Sequence, residues 1–131
     1  MTTIESPGLK ASHQIANLRD LRDGWRNGEG VAFDADYLAW LSDAFSRMYP
    51  AHAPVPTICP TTYGTISVEW SLTGTEVSLE IDPETRYGDL LWASTGAPKS
   101  GETVIDMSQP EGWTSLADRL DREQQCSILT N

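Results

Sequence analysis

Cysteine is scarce in this chain, with Cys59 and Cys126 the only two among 131 residues. That count excludes a disulfide-stapled scaffold. One bridge is open to two thiols, but Cys59 sits in a Pro-flanked stretch and Cys126 near the C-terminal end, so free thiols in a reducing cytosol are expected. Histidine is as rare: His13 and His52 stand in unrelated settings with no Cys or carboxylate at metal-ligand spacing, and no metal or cofactor is expected. No apolar run reaches the ~20 residues of a bilayer span. Met1 to Lys10 lacks both a basic and an apolar leader segment, so a cytoplasmic location without a membrane partner is expected. Basic residues are also in short supply, nine against nineteen acidic ones, for a net charge of −10. This deficit argues against direct nucleic-acid binding, which needs Lys and Arg on phosphates.

The chain is rich enough in apolar residues to fold. They make up 39% of it and include five tryptophans, enough for one domain with its own core. The acidity is uneven. Residues 1–50 hold five basic and seven acidic side chains, a net −2; residues 51–131 hold four and twelve, a net −8. Such a surface suits a basic protein partner, and it also serves plain solubility.

Residues 1–11, with Pro7-Gly8, read as a loose arm of a single domain spanning 1–131. Ser12 reads as the N-cap of a helix over 12–23 with Ile15, Leu18 and Leu21 on one face. A glycine-rich loop, Gly24 to Gly30, carries Trp25. Asp34 caps a second helix whose Leu38, Leu41, Phe45 and Met48 form an apolar stripe, and Pro50 ends it. Four prolines between 50 and 60 allow at most a short edge strand at 56–59. Ile66, Val68 and Trp70 then alternate with Ser67, Glu69 and Ser71, and after Thr73-Gly74 the residues Val77, Leu79 and Ile81 alternate with Ser78, Glu80 and Asp82. This is the pattern of an antiparallel hairpin with one dry and one wet face. Leu90–Ala93 and Thr103–Met107 read as further strands joined by a polar loop. Pro110 opens a last helix with Trp113, Leu116 and Leu120 inward, and 124–131 reads as a frayed tail. The expected fold is α+β: a three- to four-stranded antiparallel sheet, one face covered by two N-terminal helices and one C-terminal helix.

Catalytic constellations are hard to find. Gly24, Gly28 and Gly30 fit no phosphate-loop spacing, follow no strand and include the repelling Glu29. The structural reading is that they free the backbone while Trp25 plugs the core. Cys59 needs His13 or His52 beside it to act as a nucleophile. The pairs Glu69 with Glu80 and Asp82 with Glu84 lack the cleft that carboxylate hydrolysis requires. Binding suits these residues better. Glu69, Glu80 and Asp82 occupy alternating outward positions, with Glu76 and Glu84 near the turn and the strand end, and this acidic hairpin face is the expected partner surface. Tyr37, Trp40 or Trp92, if exposed, would serve as anchors; core packing is the structural alternative.

The run Leu18, then Asp23-Gly24-Trp25, Gly28-Glu29-Gly30, Tyr49-Pro50, Pro60-Thr61-x-x-Gly64 and Glu69-Trp70 resembles a loose group of small bacterial proteins of unknown function. These share a Gly-Trp-x-x-Gly-x-Gly loop between two helices and a Pro-Thr-x-x-Gly entry to a hairpin. The resemblance covers about residues 15–82 and not the C-terminal third. Members are often encoded near mobile-element, toxin–antitoxin or phage-defence genes, which implies an inhibitory or regulatory binding role and supplies no active residues. The expectation is a non-enzymatic inhibitor or regulator, antitoxin-like, immunity-like or anti-defence, that docks on a basic protein surface of a toxin, nuclease or nucleic-acid-binding complex and could mimic nucleic acid. The alternatives are a small enzyme with a pocket near Gly24–Gly30 and His52, or a self-associating structural subunit.

Overall fold

The computed structural model describes residues 5–94 and 100–129. Residues 1–4 of the expected arm, residues 95–99 of the expected loop, the side chains of residues 125–129 (Cys126 among them) and residues 130–131 lie outside the described residues. Helices Pro7–Asn17 (α1), Ala35–Met48 (α2) and Pro110–Leu129 (α3) pack with strands Thr57–Pro60 (β1), Ile66–Leu72 (β2), Thr75–Ile81 (β3), Tyr87–Ser94 (β4) and Ser100–Asp106 (β5). The class is α+β, as the sequence pattern indicates. The sheet has five strands rather than three or four, in the plain order β1-β2-β3-β4-β5 with every pair antiparallel.

The departures from expectation have local causes. Helix α1 starts at Pro7, not after Ser12. Ser6 is its cap, its hydroxyl accepting the Leu9 N–H at 3.2 Å, and Pro7 sits where a missing N–H is harmless. Ser12 is instead inside the helix and nearly buried, its hydroxyl 2.7 Å from that of Ser42 on α2. A 3-10 turn, Leu18–Asp20, finishes the segment. Gly8 lets α1 lie directly on α2: a Cβ there would come within 2.3 Å of the Phe45 carbonyl oxygen. The last four residues of the Pro-rich stretch do pair, from Thr57↔Glu69 to Pro60↔Ile66, which supplies the additional strand. Helix α3 runs on to Leu129, so residues 124–129 are helical rather than frayed.

All helices lie on one side of the sheet, over Ile66, Val68, Trp70, Val77, Leu79, Ile81, Leu90 and Ile105. Two tyrosines lock this layer. Tyr37 is fully buried; its hydroxyl receives the Ile66 N–H at 3.1 Å and donates to the Ile81 carbonyl at 2.6 Å, spanning β2 and β3 at the pair Ile66↔Ile81. Tyr49 accepts the Trp70 indole N–H at 2.8 Å and donates to the Pro54 carbonyl, tying the Pro-rich segment to the sheet. Burial raises the pKa of both phenols, that of Tyr49 to about 12, so both stay neutral donors.

Candidate functional site

The other side of the sheet is left open by the helices. Alternation puts Ser67, Glu69 and Ser71 of β2, Glu76, Ser78 and Glu80 of β3, Asp89, Leu91 and Ala93 of β4, and Ser100, Glu102 and Val104 of β5 on it. The register arranges them in rows. One row reads Ser67, Glu80, Asp89, Val104; the next reads Glu69, Ser78, Leu91, Glu102; a third reads Ser71, Glu76, Ala93, Ser100. Among the described residues, none of the five strands contains a Lys, Arg or His. The described basic side chains are on helices and loops instead.

Hydroxyls position several of the carboxylates. The Thr65 hydroxyl donates to Glu80 Oε2 at 3.0 Å, Ser71 to Glu76 Oε2 at 2.8 Å and Ser67 to Glu69 Oε2 at 3.4 Å. Cys59, which is free, stands beside Glu69, and burial, followed by the Glu69 charge, pushes its thiol pKa up. That is the reverse of an activated nucleophile. A shallow depression of about 620 Å³ lies on this face, lined by Glu69, Glu76, Ser78, Leu91 and Glu102 among others.

Of the five acidic residues singled out from sequence, Glu69, Glu76 and Glu80 share the open face. Glu76 is the second residue of β3, next to the Thr73-Gly74 turn. Asp82 and Glu84 are elsewhere: β3 stops at Ile81, and Asp82 Oδ1 accepts the Glu84 and Thr85 N–H groups at 2.8 and 2.9 Å to build the following turn. Those two backbone donors hold the Asp82 carboxyl below its usual pKa. Asp82-Pro83 is a turn signal in the sequence that outranks simple alternation. Two face residues were missed, Asp89 and Glu102, because their place depends on the register of β4 and β5.

The aromatic candidates fill structural roles. Tyr37 is core, Trp40 lies under the Arg86 guanidinium at 4.7 Å, and Trp92 lies under that of Arg119 at 3.8 Å. The glycine-rich loop is a miniature hairpin. Arg26 and Glu29 exchange both backbone hydrogen bonds around Asn27-Gly28, both at positive φ, and the Gly24 N–H donates to the Gly30 carbonyl. Its amides are thus largely spent on the loop itself. Trp25 is half-buried and packs against the edge of the core beside Phe33, folding across Gly30 with its indole N–H on the Val31 carbonyl at 3.1 Å. A Cβ on Gly30 would come within 2.6 Å of that ring. His52 lies 3.5 Å from Asp121 of α3, and His13 pairs with Glu5.

Among the described residues, no group of His, Cys, Asp and Glu could hold a metal ion, and no helix is long and apolar enough to cross a membrane. Comparison with protein-family models, curated proteins and solved structures found no match to this chain.

Proposed function

We propose that the protein is a non-enzymatic binding module, an inhibitor or regulator of the antitoxin, immunity or anti-defence kind, whose open sheet face docks on a basic surface of a partner protein. One observation carries this reading: Glu69, Glu76, Glu80, Asp89 and Glu102 share a face that no described helix covers and no strand-borne cation neutralises. Glu80 stands directly opposite Asp89, an arrangement that weakens the sheet slightly. Carboxylates repeated at the strand spacing of about 4.8 Å form a dense negative surface. An array of this kind suits the Arg and Lys of a toxin, a nuclease or another nucleic-acid-binding protein, occupying the place of phosphates.

The test is affinity capture from the host cell at low salt, followed by affinity measurement with the partner recovered. A stoichiometric partner is expected, its binding weakening steeply with salt. The triple variant Glu69→Lys, Glu80→Lys, Asp89→Lys should lose at least about tenfold in affinity. Recovery of no stoichiometric partner, or a partner indifferent to the three reversals, would overturn the reading.

A further inference from the structure

The two edges of the sheet are protected very differently. Strand β1 is short, contains Pro60, and follows Pro54 and Pro56. Prolines and short length are the ordinary means of blunting a sheet edge. Strand β5 has none of them. It is seven residues long, Ser-Gly-Glu-Thr-Val-Ile-Asp, without proline or lysine, and among the described strands it pairs with β4 alone. At its end the Asp106 carbonyl accepts the Gln109 N–H at 3.3 Å; among the described residues, no backbone group pairs with the far side of residues 100–105. Thr103 is exposed, and Val104 is 62% exposed.

Both sides of that edge are shaped. Beneath it, between β5 and α3, lies a groove of about 220 Å³ whose lining includes Thr103, Ile105, Ser115, Asp118, Arg119 and Arg122; its two arginines turn cations away from it and toward the acidic side. Above it are Glu102 and Val104, next to the acidic depression. A strand added to β5 would place alternate side chains in the groove and on the acidic face, while its backbone completed the open ladder. Strand addition of this type takes its affinity from the main chain and its specificity from pockets for alternate side chains.

We infer that the free edge of β5 takes an extended, Lys- or Arg-bearing segment of the partner as a sixth strand, cations toward Glu102 and small polar side chains toward the α3 groove. This rests on the acidic-face reading above and adds the mode of docking. Charge decides the occupant. A second copy would bring another net charge of −10 and a second Glu102 to the same edge, whereas a cationic segment meets complementary charge.

The experiment uses the full chain, labelled with nitrogen-15, and a blocked peptide of alternating lysine and threonine as long as β5. Two N-methylated versions of the peptide are compared with it, one methylated at every lysine and one at every threonine. In a strand the N–H groups of successive residues point to opposite edges, so methylation of one set removes the ladder and methylation of the other leaves it. The parent peptide should bind at low salt and shift the amides of residues 100–106. One methylated version should bind like the parent, and the other should lose at least about tenfold. Equal behaviour of the two versions, shifts that spare β5, or no binding at about 1 mM parent peptide would overturn strand addition. If binding then still responds to salt and to Glu69→Lys and Glu80→Lys, the acidic-face reading stands without it. Binding indifferent to salt and to those reversals would instead overturn the acidic-face reading. A dimer in sedimentation with β5 amides protected would assign the edge to a second copy and overturn the inference.

Discussion

On the inner side of the sheet Val68, Trp70, Leu79 and Leu90 are at most 1% exposed. One residue along each strand, Glu69, Glu80, Asp89 and Leu91 stand in water on the outer side. The two sides are made by the same hydrogen-bonded ladders, so the difference between them is one of side chains alone. It shows how register is fixed here. Slipping a strand by one residue would lift the apolar set into water and push carboxylates into the core. Burying even one unpaired carboxylate costs several kcal/mol. The acidic side therefore opposes mispairing even though it adds little to stability when the pairing is right.

The comparison can be broken most directly at Trp70. Trp70→Ala should lower unfolding free energy by about 3–5 kcal/mol in urea titration, while Leu91→Ala on the outer side should change it by no more than about 0.5 kcal/mol. Similar losses at both sites would mean that the outer side is also buried. A smaller effect is expected from Tyr37→Phe, about 1–3 kcal/mol, because it leaves two buried backbone groups at Ile66 and Ile81 without their hydroxyl partner. Tyr37 and Tyr49 also make the inner layer sensitive to alkali. Their folded pKa values are raised, so the stability they contribute is whole below the unfolded tyrosine value of about 10 and is lost as pH rises through the folded values. Melts from pH 9 to 12 should show that decline, with a shallower slope in Tyr49→Phe.

The outer side can be sharpened at Glu80. Glu80→Gln removes the like-charge pair with Asp89 while keeping an acceptor for Thr65, so it should stabilise by about 0.2–1 kcal/mol at low salt, and the gain should vanish in high salt. The smallest expected effect is at Asp82, an acid of the turn rather than of the face. Its pKa is depressed, so its contribution is present above the usual carboxylate value of about 4 and is lost as pH falls further. Acid titration of Asp82→Asn should show a slightly weaker dependence on pH in that window.

Much of this was legible where one physical rule acted alone. The β2–β3 hairpin follows from strict alternation, and α2 from its stripe between Asp34 and Pro50. Legibility failed where two rules competed. Pro7 looked like an arm residue until Ser6 is seen as its cap, and Asp82 continued an alternation that its own carboxylate ends. Strand β5 has only Val104 and Ile105 as apolar markers, so Glu102 had no visible face until pairing with β4 gave it one. Glu69, Glu76 and Glu80 could be read from their own hairpin. Asp89 could not, because Gly88 beside it blurs the pattern that surrounds Leu90.

The uninterrupted strand order has a kinetic consequence. Each strand's partners are its neighbours in the chain, so the sheet can grow outward from the β2–β3 hairpin by adding one adjacent strand at a time, without a crossover. Hairpins close in about 1–10 μs, and local pairing keeps the entropy of each later step small. The slow event is then the return of α3 to touch β2 and β3 across the intervening chain. Until it arrives, the inner side of β2 and β3 lacks part of its cover, and apolar surface exposed in that interval favours aggregation.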